Sequence, residues 1–201
     1  MDLFDYDPTL NLLPFDGEVN YFGEIFNHSE AQHYFDLLFD SVDWKPDEVI
    51  IAGKHITTKR KIAWYGDGNY AYTYSKTTRH ALPWTSELLA LKDIVEQKCD
   101  TEFNSCLVNL YHNGEEGVTW HSDNEKALGT NTTIASLSFG SERKFSFKHK
   151  NTKKSLSVNL QAGSLLVMKG TTQNHWLHCL PKTKKSTSPR INLTFRTYKP
   201  D

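Results

Sequence analysis

The chain reads as an α+β domain whose second half is a sandwich, barrel or jelly roll of short strands. Two observations predict this. The first hundred or so residues carry two stretches with helical spacing of apolar residues and only a few strand-like runs. From Ser105 onward the pattern becomes a series of short strand-like runs, each closed by turn residues. A third observation sets the scale: 201 residues with 38% hydrophobic content make one domain with enough apolar mass for a real core.

Taken in order, residues 1–24 mix acids with Pro8, Pro14 and Gly17 and read as an irregular arm. Ser29, with Gln32 three residues later as in a capping box, opens a helix whose apolar face is Tyr34, Phe35, Leu37, Leu38 and Val42. The run 48–52 reads as a strand that turns at Gly53. In 60–75, Tyr70, Tyr72 and Tyr74 share parity and form one aromatic face if the segment is extended. That face is either half of a buried sheet or a stacking surface for a flat ring, beside the basic Lys59-Arg60-Lys61. Pro83 precedes a second helix over 85–98, with Leu88, Leu89, Leu91, Ile94 and Val95 as its buried face. Strands are then expected over 105–111, 132–139, 143–149, 155–160, 164–169, 174–180 and 190–198, with a mobile loop at 182–189. No internal repeat or low-complexity tract interrupts this order.

Charge is balanced, at −1 net, so the whole-molecule total implies no particular partner. Its distribution is uneven: an acidic start, then basic patches at Lys54 with Lys59–Lys61, at Arg143–Lys154 and at Lys182–Arg190. Cys99, Cys106 and Cys179 have no paired spacing, which argues against a disulfide framework or a zinc motif and suits a reducing compartment. No apolar run has the length of a membrane span, and Met1–Asp5 lacks the basic start of a secretory signal. The expectation is an intracellular monomer, cytoplasmic if bacterial and nuclear if eukaryotic, with no membrane partner.

The chemistry-bearing unit is His121-Ser122-Asp123, an imidazole and a carboxylate two residues apart in a glycine-flanked stretch that reads as an exposed turn. Two ligands do not make a site. A third histidine would complete a set of two imidazoles and one carboxylate with open positions, the arrangement of non-haem Fe(II) oxygen chemistry. His112 is too close in sequence, and His149 lies in a basic, exposed-looking hairpin. His175 and His178 sit at opposite parity, so at most one points inward, and the sequence does not choose between them. The last strand puts Arg190, Asn192, Thr194, Arg196 and Tyr198 on one side and Ile191, Leu193 and Phe195 on the other. It is either an edge strand with its charges in water or a pair of guanidiniums suited to a dicarboxylate. Strand 105–111 packs Cys106, Val108 and Leu110 on the core; its other face, with Leu107, Asn109 and Tyr111, is either that of an ordinary half-buried strand or one that offers Asn109 and Tyr111 to an anion.

These segments resemble the AlkB family of 2-oxoglutarate- and iron-dependent dioxygenases. The resemblance rests on His121-x-Asp123, on His175-Trp176-Leu177-His178, and on Pro189-Arg190-Ile191-Asn192-Leu193-Thr194-Phe195-Arg196. Ile134–Gly140 and Gly163–Leu166 extend it, so that it covers about 45–199. It implies a double-stranded β-helix (jelly roll) core over about 101–201, with helices and an N-terminal nucleotide-recognition lid over about 1–100. It also implies Fe(II) on His121, Asp123 and His178. Asn109, Tyr111, Arg190, Asn192 and Arg196 would hold the cosubstrate 2-oxoglutarate, with Arg190 or Arg196 on its distal carboxylate. Tyr72, Tyr74 and Glu125 match positions that line a base pocket, Ile51 occupies the turn where duplex-reading relatives carry a bulky wedge, and Arg60 belongs to a segment that grips phosphate. The implied activity uses O2 to demethylate bases such as N1-methyladenine and N3-methylcytosine in DNA, with RNA as a second candidate, releasing formaldehyde. Such a base must leave its stack. Because Ile51 is followed by Ala52 rather than an aromatic residue, single strands are expected to be handled at least as well as duplexes. The alternatives are the same chemistry on a protein or small molecule, or a non-catalytic jelly-roll module.

Overall fold

In chain order the elements are β1 (Glu18–Glu24), α1 (His28–Ser41), β2 (Lys45–Ile51), β3 (Lys54–Gly66), β4 (Ala71–Tyr74), β5 (Thr77–His80), α2 (Ser86–Cys99), β6 (Ser105–Tyr111), β7 (Val118–His121), a 3-10 turn (Lys126–Leu128), β8 (Ile134–Gly140), β9 (Arg143–His149), β10 (Ser155–Leu160), β11 (Ser164–Lys169), α3 (Thr172–His175), β12 (Trp176–Leu180) and β13 (Arg190–Arg196). The computed structural model describes residues 7–51, 54–74 and 77–199, without the side chains of 49–51, 54–55, 72–74 and 77–79.

The strands form a seven-stranded sheet in the order β1-β11-β8-β13-β6-β3-β2, a four-stranded sheet β10-β9-β12-β7, and a separate ribbon β4-β5. Period-two alternation decides which face meets what. Ala135, Leu137 and Phe139 of β8, Leu165 and Val167 of β11, and Ile191, Leu193 and Phe195 of β13 point to one face. There they pack with Leu38 of α1 and Leu88, Leu91 and Val95 of α2. Ile134, Leu166 and Met168 point to the other face and meet Phe147, Leu160 and Trp176 of the smaller sheet. Burying each such side chain contributes about 1.5–3 kcal/mol. The result is the expected jelly roll: two sheets with a core between them and helices on the outside of the larger one.

Several expectations change. Residues 18–24 are not an irregular arm but β1, paired antiparallel with β11. Val19 and Tyr21 face the inter-sheet core, which the neighbouring acids and prolines obscured in the sequence. The first helix is capped by Asn27, not Ser29. The Asn27 side chain accepts from the Glu30 amide at 3.0 Å, and the Glu30 side chain accepts from the Asn27 amide at 2.9 Å, closing the box two residues earlier. Leu89 is 41% exposed, so the second helix buries a narrower stripe than the sequence suggests. Strand β13 is no edge strand: β8 and β6 flank it, and its polar residues Arg190, Asn192 and Thr194 are buried. The loop at 182–189 is tied down by Gly114, whose amide donates to Ser186 O and whose carbonyl accepts from Thr183 N, both at 2.8 Å. A Cβ on Gly114 would lie 2.1 Å from the Thr183 carbonyl oxygen, so the contact requires glycine.

Candidate active site

His121 lies not in a turn but at the end of β7, directly opposite His178 on β12 in the antiparallel register. Parity therefore turns both rings to the same face, and their centroids are 4.3 Å apart. Asp123 follows two residues later, with its Oδ1 3.6 Å from His121 Nε2 and 4.0 Å from His178 Nε2. One ligand atom from each residue lies within 4.8 Å of the others. Of the two histidines the sequence left open, His178 joins this group. His175 instead closes α3, and it stacks on His149, which is buried rather than exposed.

Each member of the group is oriented by neighbours. His121 Nδ1 lies 2.8 Å from the Thr119 carbonyl. A carbonyl only accepts, so Nδ1 carries the proton and Nε2 keeps a free lone pair toward the group. Phe145 stacks on His178 at 5.5 Å. Asp123 is fixed at both ends: its amide donates to Gln173 Oε1 at 2.9 Å, and its Oδ2 accepts from Arg196 Nη2 at 2.5 Å. Lys150 Nζ completes the frame by donating to the Gln173 carbonyl at 2.8 Å and to Ser122 Oγ at 3.1 Å. Burial alone would raise the Asp123 carboxyl, but Arg196 with His178 and His121 outweighs it and holds the group down at about 2. Burial pushes His178 down to about 3 despite the neighbouring carboxylate. At neutral pH Asp123 is therefore a carboxylate and His178 a neutral imidazole, the protonation states that metal ligation requires of them.

Beside this group lies a second one. Asn109 and Tyr111 on β6 pair in register with Asn192 and Arg190 on β13. The Arg190 guanidinium lies 5.5 Å from the Tyr111 ring centroid and donates to Ser138 Oγ at 3.0 Å. Asn192 Nδ2 donates to Ser136 Oγ at 2.9 Å and to the Leu137 carbonyl at 3.1 Å, and Thr194 Oγ1 donates to Asn192 Oδ1 at 3.1 Å. Arg190 Nε and Asn109 Oδ1 are buried without a hydrogen-bond partner. Burial lowers Arg190 to about 10 although Tyr111 opposes the change. A buried guanidinium with no carboxylate partner among the described residues, flanked by two amides and a phenol, fits a dianionic dicarboxylate. The two arginines of β13 thus separate: Arg196 is engaged by Asp123, and Arg190 has no carboxylate partner among the described residues.

A cleft of roughly 1300 Å³ opens over the first group. His121, Asp123, Glu125, Arg196, Trp64 and Tyr198 line it, and Lys59, Lys182 and Lys184 stand on its wall. Asn109, Tyr111, Arg190, Asn192 and His178 are buried and do not line it. Glu125 is exposed at the start of the 3-10 turn. Arg60 lines the cleft but is committed to Asp47 by a short ion pair, and it lies 5.9 Å from the Tyr111 ring centroid. Tyr70 is outside β4. It packs on Tyr198 at 5.1 Å and Trp64 at 6.3 Å, so Tyr70 takes no part in an aromatic face on that strand. Tyr72 and Tyr74 lie on β4 and Ile51 ends β2; their side chains, and Ala52 and Gly53 altogether, fall outside the described residues.

Ser136, Ser138, Gln173, Lys150 and Thr119 were missed in the sequence. The two serines left a signal, since they alternate with Ala135, Leu137 and Phe139 and so share the face on which the polar residues of β13 lie. Gln173 and Lys150 left none.

A family model described as the 2OG-Fe(II) oxygenase superfamily matches residues 18–196. "Alpha-ketoglutarate-dependent dioxygenase alkB homolog 3" of Bos taurus is 41% identical over 182 residues, covering 86% of this chain and 63% of that protein. "DNA oxidative demethylase ALKBH2" of Homo sapiens is 38% identical over 183 residues, covering 86% of this chain and 70% of that protein. Among solved structures, "The structure of OsALKBH1" matches with a TM-score of 0.60 at 16% identity, over 89% of this chain and 97% of that one, a likeness of fold. The chain spans 63% of the length of the alkB homolog 3 relatives from cattle, human and mouse.

Proposed function

This chain belongs to the AlkB family of Fe(II)- and 2-oxoglutarate-dependent dioxygenases, and from that premise we propose that it demethylates alkylated bases in DNA by oxidation. One observation carries the reading: two imidazoles and a carboxylate converge where His121 and Asp123 line a cation-rimmed cleft and His178 lies buried behind them, with a buried guanidinium on the same sheet as β6 and β8 that lacks a carboxylate partner among the described residues. His121, Asp123 and His178 would hold Fe(II). Arg190 would meet the distal carboxylate of 2-oxoglutarate, with Tyr111, Asn109 and Asn192 around it. When bound, the iron and 2-oxoglutarate use O2 to hydroxylate the N-methyl carbon of the base, giving succinate and CO2, and the hydroxymethyl product loses formaldehyde.

The protein's own part is positional. Thr119 fixes the His121 tautomer, and Arg196 keeps the second Asp123 oxygen occupied, so that the first would be the one left for the metal. Ser138 and Ser136 hold Arg190 and Asn192 in place before any cosubstrate arrives. The cleft admits a base swung out of its stack, Glu125 accepts from its exocyclic amine, and Tyr72 and Tyr74 on the β4–β5 ribbon belong to the recognition lid that covers it. Lys59, Lys182 and Lys184 meet backbone phosphates, and they draw the strand in by charge. RNA is a second substrate of the same chemistry.

The test is an assay with Fe(II), 2-oxoglutarate and oligonucleotides carrying N1-methyladenine or N3-methylcytosine, read by mass spectrometry. Loss of the methyl group is expected, with single strands processed at least as fast as matched duplexes. Succinate formation without demethylation of either lesion in either strand form would overturn the reading and favour a protein or small-molecule substrate.

A further inference from the structure

The basic segment Arg143–Lys154 contributes no residue to the cleft wall. It forms β9 and the turn after it, inside the four-stranded sheet. Two of its cations are used within the fold. Arg143 is buried and donates to the carbonyls of Asn113, Glu116 and Pro181, and Lys150 holds Ser122 and the Gln173 carbonyl. Lys144 and Lys148 instead stand on the outward face of the sheet.

Alternation along the strands defines that face. Phe145 and Phe147 of β9, Leu156, Val158 and Leu160 of β10, and Trp176 of β12 turn inward to the core. Their neighbours turn outward: Lys144, Ser146 and Lys148 on β9, Ser155, Ser157 and Asn159 on β10, and Leu177 with the deeper Cys179 on β12. None of these is acidic, whereas the cleft carries Glu48, Glu115 and Glu125 among its lysines. The outward face is thus the more purely cationic surface.

Trp120 stands at its edge. Of the four residues of β7, only Trp120 does not line the cleft, and it is 39% exposed. The Lys148 ammonium lies 4.2 Å from its ring centroid, which puts the indole on the side of the lysines. One exposed aromatic residue is ordinary on a protein surface. An indole beside two cations, with no carboxylate on the face, is the pairing that stacks a base and meets its phosphates. The face is also continuous with the cleft. His121 is the next residue and lines the cleft, and β7 is the last strand of its sheet. A polynucleotide whose lesion occupies the cleft therefore reaches Trp120 by crossing one edge strand, with about 3.8 Å of backbone between the two residues.

Resting on the reading of the cleft as a site for alkylated DNA, we propose that the outward face of the four-stranded sheet carries the single strand beyond the lesion. Trp120 stacks one unpaired base, and Lys148 and Lys144 meet the phosphates beside it. A base on the indole displaces the Lys148 ammonium, whose flexible chain turns it to phosphate. A duplex offers no unstacked base to the indole, so this face favours single strands.

The test uses a single-stranded oligodeoxynucleotide of about twelve nucleotides, within the site sizes of single-strand binding surfaces. Its unmodified form is used for anisotropy titrations. Its N1-methyladenine form is compared in demethylation with a lesion-bearing trinucleotide, whose single flanking nucleotides the cleft itself accommodates. Trp120→Ala, at an exposed position, should weaken long-strand binding by about fivefold or more. Trp120→Phe, which keeps a ring, should weaken it much less. Replacing Lys144 and Lys148 together by Gln should reduce the slope of log affinity against log salt by about 1.4. The loss should be confined to the long strand. Unchanged affinity in Trp120→Ala, or an unchanged salt slope in the double lysine variant, would overturn the proposal. So would a loss that falls equally on trinucleotide turnover, since Trp120 would then act by supporting His121. If the parent demethylates neither substrate while the binding losses appear, the reading of the cleft fails and the strand-binding face stands.

Discussion

Ser138→Ala removes a single oxygen atom from the middle of the larger sheet, and the structure dictates how that loss divides between stability and cosubstrate binding. Ser138 Oγ accepts from Arg190 Nη2 at 3.0 Å, and both residues are buried. Arg190 Nε already lacks a partner, so the substitution leaves a second part of the same guanidinium unpaired. A hydrogen bond to a charged group contributes about 1.5–3 kcal/mol. In a domain of this size each kcal/mol moves the thermal midpoint by about 2–4 °C, so the cosubstrate-free protein should melt roughly 3–12 °C lower. The bond exists before 2-oxoglutarate arrives, so most of its loss cancels in the binding equilibrium. Only the poorer orientation of the guanidinium remains, and the KM for 2-oxoglutarate should rise no more than about tenfold, or about 1.4 kcal/mol. Thermal scans with and without 2-oxoglutarate, together with succinate-release kinetics, measure both halves. A midpoint within about 1 °C of the parent and an unchanged KM would show that Ser138 does not hold Arg190. A KM raised a thousandfold on an unchanged midpoint would show that the bond forms only when cosubstrate binds.

Arg190→Met should raise the 2-oxoglutarate KM by about thirtyfold or more, from the 2–5 kcal/mol typical of truncating a buried charge partner, while metal binding persists. Arg196→Met should do the reverse and weaken Mn2+ or Fe(II) binding, because it frees Asp123 Oδ2; exchanged phenotypes in calorimetric titrations would exchange the two roles. Leu193→Ala, on the fully buried face of β13, should cost about 2–5 kcal/mol in urea unfolding, and a much smaller loss would contradict the central place of that strand. Acid should destabilise the metal-free protein in a defined direction. Burial holds His178 at about 3, against about 6.5 in the unfolded chain, so below about pH 6.5 the unfolded chain takes up a proton that the folded protein refuses. That stability is full above about pH 6.5 and falls as the pH drops toward 3, with Asp123, held at about 2, adding to the loss below about 3.9. His178→Gln should flatten the decline between neutrality and about pH 5, and an equally steep decline in the variant would assign it elsewhere.

Much of this molecule was legible in its sequence because two periodicities report directly on burial. Strands 105–111, 143–149, 155–160 and 164–169 have the bounds expected of them, and each is short and closed by turn residues. What escaped depended on neighbours distant in the chain. Strand β13 looks amphipathic in isolation and reads as an edge. Only its flanking by β6 and β8 turns its polar face into a buried one. His175 and His178 are indistinguishable by composition, and the choice was made by register, since His178 falls opposite His121. His149 looked exposed among lysines, yet Phe15, Trp176 and His175 cover it. Gln173 and Lys150 belong to no pattern, because a side chain that supports a backbone amide fifty residues away leaves no local trace.

The position of β13 also constrains how this protein can change. Its odd-numbered residues from Ile191 to Phe195 fill the core against the helices, and its even-numbered neighbours handle anion and metal ligand, with about 3.4 Å of backbone between one kind and the next. A methyl group gained or lost on the helix side shifts the same backbone that aims Arg190 and Arg196. Drift in the core is therefore not silent: a substitution tolerated for folding alone arrives as an altered cosubstrate affinity. Restoring that affinity calls for a second change on the helices rather than in the pocket. Relatives adapting to a new temperature would be expected to vary α1 and α2 together with β13 and to leave the serines of β8 alone.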